Sequence, residues 1–270
     1  MTTLTLDGLT AKQQKTWASG DYGAIATLIH PMSEALVQAA DLSAGSRVLD
    51  VATGTGNAAL AAARCGCEVV AVDYVPALLD RARERAAAEH LTIKVREADA
   101  EQLPCDDGEY DAVVSVVGVM FAPDQERAAA QLTRVCRPGG TIALANWTPA
   151  GFIGQLFKTV GRHVPPPAGL RPPPLWGDET RLRELFADRV TDLRVTKRHF
   201  VFRFGSATDL VDFFRTHYGP TLKAFEALGE DGGKQLYDDL VELTDRHNAA
   251  DDGTLKVPAE YVEVLAYVAG

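Results

Sequence analysis

The sequence has no long apolar run, few cysteines and no surplus of positive charge, and each lack removes a class of protein. No stretch approaches the roughly 20 apolar residues needed to cross a bilayer, so no membrane span is expected. Residues 1–17 contain no basic segment followed by an apolar run, so they do not read as a secretory leader. Both absences place the expected protein in the cytoplasm. Lys and Arg number 27 against 37 Asp and Glu, a formal net charge of -10. A nucleic-acid partner needs a basic footprint, so none is expected. The four cysteines, Cys65, Cys67, Cys105 and Cys136, include a C-x-C but no paired zinc spacing, and no His or mixed acidic and His cluster stands near them. They are expected to be reduced thiols, and no metal site is expected. No internal repeat is visible.

What is present is ordinary globular composition, 46% hydrophobic and 7% aromatic over 270 residues, enough for a sizeable core. Residues 10–42 read as helices, with Ile25, Leu28, Ile29, Met32 and Leu36 at helical spacing and a capped break at Ala18-Ser19-Gly20-Asp21. Short apolar strands then alternate with helices. Strands are expected at 47–51, 68–72, 92–96, 111–117 and 141–146, and helices at 58–64, 76–90 and 124–136. The last of these is stopped by Arg137-Pro138-Gly139-Gly140. Continuous apolar strands between helices predict a doubly wound, mostly parallel sheet covered on both faces. Beyond Trp147 the pattern changes. A helix at 152–163, a proline-rich strap at 165–174, a short helix at 181–186, a strand at 192–204, a mostly helical stretch at 207–247 and a last strand at 261–268 are expected.

The segment richest in chemistry is Val48-Leu49-Asp50-Val51-Ala52-Thr53-Gly54-Thr55-Gly56-Asn57, a buried strand running into a glycine turn that opens a helix. Glycines let the backbone turn tightly and a ligand approach closely. In a doubly wound sheet this lies at the carboxyl-end crevice. Asp73, at the end of the second strand about 20 residues on, is placed to accept ribose hydroxyls. Loop and acid together point to an adenosine-containing ligand. Gly54-Thr55-Gly56-Asn57-Ala58-Ala59 also fits the G-x-G-x-x-A fingerprint of NAD enzymes, so these residues leave two ligands open.

Three motifs in register add a resemblance. Val48 to Gly56, with Asp50 before the glycines, resembles the first motif of class I S-adenosylmethionine (SAM)-dependent methyltransferases. Asp99-Ala100-Glu101-Gln102-Leu103-Pro104 is similar to their D-A-x-x-L-P segment, and Leu132 to Gly140 to their L-R-P-G-G turn. The order and spacing over residues 45–147 are similar to the ubiquinone/menaquinone-biosynthesis type. Ala52 and Thr53 depart from the commoner Gly and Cys or Ala; Ala52 is small enough that little consequence is expected. The resemblance implies a seven-stranded Rossmann-like fold with N-terminal helices and a late helical insertion. It also implies three regions: a helical cap (1–44), a SAM-binding core (45–147), and the remaining sheet with a substrate lid at about 206–250 (148–270).

Carried over residue by residue, the resemblance implies these roles. Ala52, Thr53, Gly54, Gly56 and Asn57 lie along the cofactor loop behind Asp50. Asp73 takes the ribose, Tyr74 stacks on adenine, Asp99 and Ala100 meet the adenine amine, and Ser115 faces the methionine end or the reacting centre. Trp17 and Tyr22, flanking the break, are expected to close the pocket around the sulfonium, since ring faces favour cations. The implied reaction is in-line methyl transfer to O, N or C of a small molecule. The apolar series Leu210, Phe213, Phe214, Tyr218, Leu222, Phe225 and Leu228 suggests an acceptor with apolar or aromatic surface. His217 and His163 are candidate bases, with His247 and His199 behind them, should the acceptor have to lose a proton. The alternatives are an NAD(P)-dependent oxidoreductase, against which stand Asp50, the Asp99 segment and the lack of a Tyr-x-x-x-Lys pair, and a non-catalytic SAM-binding protein.

Overall fold

The structure, a computed structural model, describes residues 6–270. The leader and helical-cap expectations begin at residue 1, and for residues 1–5 they lie outside the described residues. The chain opens with α1 (Leu6–Trp17) and α2 (Tyr22–Ala39). The break between them ends on Asp21, whose carboxylate accepts from the Gly23 amide and caps α2. The predicted stripe is the buried face of α2: Ile25, Ile29, Met32 and Leu36 are inside, and Leu28 is half-buried.

Alternation follows as β1 (Arg47–Val51), α3 (Asn57–Arg64), β2 (Glu68–Asp73), α4 (Pro76–Ala88), β3 (Ile93–Glu97), β4 (Tyr110–Val116), α5 (Gln125–Val135) and β5 (Cys136–Trp147). Pro76 sits in the first turn of α4, where its missing N–H is not needed. Then come α6 (Phe152–His163), α7 (Glu179–Phe186), β6 (Val190–Phe204), α8 (Ala207–His217), α9 (Gly219–Arg246) and β7 (Leu255–Val268). The sheet has seven strands in the order β3-β2-β1-β4-β5-β7-β6. The first five are parallel, and β7 runs antiparallel between β5 and β6. Neighbouring residues Val48 and Leu49, Val113 and Val114, and Ala143 and Leu144 are all fully buried. Adjacent side chains point to opposite faces, so both faces are covered. The order reverses between β1 and β4, which puts the crevice at their carboxyl ends. Among the described residues no helix is long and apolar enough to cross a membrane.

Two expected boundaries are corrected. Arg137-Pro138-Gly139-Gly140 does not separate helix from strand: β5 already begins at Cys136, paired with Tyr110, and the register shifts before Ala112 pairs with Thr141. The segment is a bulge, held by Gly139 at φ +71° and by Gly140, where a Cβ would stand 2.7 Å from the Asp111 carbonyl oxygen. The last strand starts at Leu255, not Tyr261, because it pairs antiparallel with β6 along its whole length (Leu255 opposite Phe204, Val268 opposite Val190). Pro258 is tolerated within it because β5 pairs with β7 only from Tyr261 onward, so no neighbour on that side needs its N–H. The stretch 207–247 is mostly helical as expected, its two helices parting at Tyr218 and α9 kinked at Gly229 (φ +66°).

The two helical regions meet at their elbows. Asp21 N–H donates to the His217 carbonyl (3.1 Å). A Cβ on Gly20 would stand 2.6 Å from that same oxygen, and one on Gly219 would stand 2.2 Å from the Thr16 carbonyl oxygen. Backbone meets backbone there without room for a side chain. Gly219→Ala is expected to cost about 1–3 kcal/mol through this overlap. Hydrogen exchange should quicken in α1 and the first turn of α2 while the strands keep their protection. Unchanged exchange in α1 would show that the elbows do not depend on that contact.

Candidate cofactor and acceptor site

Three of five consecutive residues after β1 have left-handed backbone: Ala52 (φ +54°), Gly54 (+55°) and Gly56 (+88°). Two buried carboxylates hold this turn. Asp50 Oδ2 accepts from Thr53 Oγ1 (2.5 Å) and the Ala59 amide (2.8 Å). Asp73 Oδ2 accepts from the Gly54 amide (2.9 Å), and its Oδ1 from the Val75 amide (2.9 Å). Burial pushes the Asp50 carboxyl up to about 7, against the lowering hydrogen bonds from Thr53 and Ala59 and with a further push from the Asp73 charge. Burial likewise raises Asp73, opposed by amides of Val75, Gly54 and Tyr74. Ala52 carries more consequence than its size suggests. A non-glycine residue in the left-handed region is strained by about 1–2 kcal/mol, so the methyl costs stability where the resembling family has glycine.

Ala52, Gly54 and Asp73 border a cleft of about 570 Å³, the open solvent at its mouth included. Of the predicted residues, Trp17, Tyr22, Ala52, Gly54, Asp73, Tyr74, Asp99 and Ala100 line it. The Tyr22 ring lies on the loop, its Cε1 3.0 Å from where a Gly54 Cβ would be. Asp99 holds its own turn, its Oδ1 accepting from the Glu101 amide (2.8 Å). Asp50, Thr53 and Asn57 stand instead around a small polar side pocket behind the loop, together with Tyr22, Ala52 and Ser33. Asn57 is a strut there: its Nδ2 donates to the Ala26 carbonyl in α2 (2.8 Å), and its Oδ1 accepts from Arg85 in α4 (2.7 Å).

Two predicted residues lie elsewhere. Gly56 borders neither space, because its Cα packs on Ala82 of α4, leaving 3.0 Å for a Cβ. Ser115 does not face the cleft. Its hydroxyl donates to the Val51 carbonyl (2.7 Å) and accepts from the Val119 amide (3.0 Å), which fastens the turn after β4 onto β1. That turn is what sequence reasoning missed. Val117, Gly118, Val119, Phe121, Ala122 and Pro123 line the cleft, and Val117 is left-handed (φ +52°), a genuine outlier for a β-branched residue. The signal available was Gly118, just past the fourth strand at the crevice: a Cβ there would stand 2.5 Å from the Ala52 carbonyl oxygen.

The histidines are not brought to the cleft. His163 Nε2 pairs with Asp239 Oδ2 (2.8 Å), and His217 lies against the Phe213 ring at 4.7 Å. His247 lies between Gln155 and the Leu243 carbonyl, and His199 is exposed on β6. Among the described residues no group of three or more His, Cys, Asp or Glu is arranged to hold a metal.

Beside the cleft lies a second, apolar chamber. Trp17, Tyr22, Val117 and Phe121 form the wall common to both, and Trp147, Phe157, Phe202, Phe214 and Tyr218 are among the rings and side chains that close it. Trp17 meets Tyr22, Phe121 and Tyr218 edge to face, with centroids 5.6, 4.6 and 5.6 Å apart. Burial, and then the charges of Asp73 and Asp50, push the Tyr22 phenol up. Burial and the neighbouring Tyr22 push Tyr218 up. Both phenols therefore stay protonated.

A model described as a methyltransferase domain matches residues 48–140. An uncharacterized protein of Mycobacterium tuberculosis is 43% identical over 240 residues, spanning 87% of this chain and 88% of that one. Demethylmenaquinone methyltransferase of Deinococcus radiodurans is 39% identical over 127 residues, only 46% of this chain and 53% of that enzyme. Among solved structures, a putative methyltransferase from Bacillus halodurans superposes with a TM-score of 0.60 at 20% identity, covering 88% of this chain and 99% of that one.

The Asp50 carboxyl has a testable consequence. Its folded-state value, about 7, lies above the unfolded one near 4. The neutral acid is therefore the form the fold favours, and the benefit fades as pH rises from about 4 to about 7. Asp73 acts in the same direction. Urea unfolding between pH 5 and 8 should show wild type losing on the order of 2 kcal/mol more than Asp50→Asn, which keeps an acceptor for Thr53 and Ala59. Parallel pH profiles would show that Asp50 does not titrate across this range.

Proposed function

We propose that this chain is a class I methyltransferase that carries out SAM-dependent methyl transfer to a small-molecule acceptor, at O, N or C; the methyltransferase-domain match over residues 48–140 supports the family. The observation that carries the reading is the buried Asp73 carboxylate at the edge of the cleft. It is held by backbone amides, raised by desolvation and lacks any side-chain donor among the described residues. Ribose hydroxyls are the donors such a carboxylate suits. The chain's residues fit the rest of the molecule as well. Leu78 and Val119 offer apolar walls to a purine, Asp99 an acceptor to its amine, and Tyr74 a ring at the rim. Bound SAM supplies a methyl group already activated by its sulfonium. Trp17 and Tyr22, which line the cleft, would offer ring surface to that charge.

The protein's own part is then mostly positioning. Holding acceptor and methyl in line can remove much of the barrier without a dedicated acid or base. No histidine among the described residues lines the cleft or the apolar chamber, which agrees with such a mechanism. The partial likeness to a demethylmenaquinone methyltransferase supports a common cofactor region. We keep a quinone-type acceptor as one member of the small-molecule class rather than as the substrate.

Calorimetric titration tests the reading. S-adenosylhomocysteine should bind the wild-type protein, Asp73→Ala should bind it about tenfold or more weakly because a charged acceptor is lost, and NADH should give no heat. Binding of NADH without S-adenosylhomocysteine would move the chain to the oxidoreductases. Binding of S-adenosylhomocysteine with full retention in Asp73→Ala would remove the ribose assignment.

A further inference from the structure

The apolar chamber beside the cleft has one feature that core packing does not explain. Tyr218 is 6% exposed, yet among the described residues its hydroxyl has no hydrogen-bond partner. The oxygen is not one of the fully buried unpartnered side-chain atoms, so it keeps accessible surface and capacity for a partner, which phenylalanine packing the same ring would not offer. Tyr218 stacks nearly parallel to Phe157 (12° between planes, centroids 6.3 Å apart) and meets Trp17 at the wall shared with the cofactor cleft. No Asp, Glu, Lys, Arg or His is among the residues lining the chamber. Behind Tyr22 and outside the chamber are two buried acids, Asp73 at the cleft and Asp50 at the side pocket, and both act on that phenol.

Resting on the methyltransferase reading, we infer that this chamber is the acceptor site and that its acceptor is an uncharged, ring-bearing molecule whose hydrogen-bond-accepting group meets the Tyr218 hydroxyl. Each part follows from the lining. An ion entering the chamber would lose its water without meeting a counter-charge, which is prohibitive in apolar surroundings. An anion would in addition be opposed by the Asp73 charge acting through the shared Tyr22 wall. A cation would meet ring faces but no carboxylate in the chamber itself. A neutral flat molecule loses little water and gains the faces of Phe157, Phe214 and Trp17. Tyr218 stays protonated in its buried setting, so it donates to carbonyl, ether or heterocyclic nitrogen, and it selects against a wholly hydrocarbon ligand.

The test uses full-length protein saturated with S-adenosylhomocysteine and three probes of one shape: 2-acetylnaphthalene, which is neutral, 2-naphthoate, an anion, and 1-(2-naphthyl)ethylamine, a cation at neutral pH. Binding is read by calorimetry and by quenching of tryptophan fluorescence, since Trp17 and Trp147 both line the chamber. The ketone should bind about tenfold or more tightly than either ion. Phe157→Ala should weaken it about fivefold and Tyr218→Phe about threefold, with S-adenosylhomocysteine affinity unchanged in both. Equal or tighter binding of an ion, or a ketone affinity indifferent to both substitutions, would overturn the inference while leaving the cofactor reading intact. Failure of S-adenosylhomocysteine itself to bind would remove that reading and the inference with it.

Discussion

The site depends on a backbone turn that a chain does not hold without help. Ala52, Gly54 and Gly56 take left-handed conformations within five residues, immediately after a parallel strand. Such a turn persists only where its surroundings over-determine it. Here Asp50 ties the turn forward to Thr53 and Ala59, and Asp73 ties it across the sheet to Gly54. Both carboxylates lose their water in doing so, which is why both are raised. The desolvated acids and the strained turn are two sides of one arrangement. A carboxylate that holds the loop in place is also left at the cleft edge with capacity for further donors.

That arrangement also explains how much of the site was legible. Asp50, Asp73 and the glycines are dictated by local chemistry, so the order strand, acid, glycine turn, strand, acid identifies them before any fold is known. Trp17 and Tyr22 came from resemblance, and they stand against the loop because Asp21 caps α2 there. Ser115 was misplaced for a physical reason. A serine at the end of a strand in a crevice looks free to face a ligand, but its hydroxyl serves the backbone of Val51 and Val119 instead. The turn 117–123 carries apolar residues with no pattern of its own, and only its burial against Ala52 gives it meaning.

In the fold, the parallel half was readable because strands buried on both faces are continuous apolar runs. The antiparallel half was readable in kind but not in extent. β6 and β7 are long because they pair with each other beyond the reach of β5, and pairing length is a property of two segments that neither sequence states alone. The Arg137-Pro138-Gly139-Gly140 segment shows the same limit. Its composition is that of a stop, and only proximity to Tyr110 and Asp111 turns it into a bulged strand start.

The two spaces at the carboxyl edge are related by more than adjacency. Ala52 and Val117, both left-handed, follow β1 and β4, and Gly118 lies against Ala52 only because it has no side chain. The glycine loop on one side and Phe121 on the other therefore cannot move independently. Trp17 and Tyr22, brought in by the N-terminal helices, close the same wall from above and touch Tyr218 from the late insertion through Trp17. On the proposed reading, a methyl group leaving a cofactor in the cleft has to cross this wall, and the wall is where the most strained backbone and the most crowded rings of the site coincide. Such a place tolerates few geometries, and narrow geometry is what an in-line displacement without an acid or base requires.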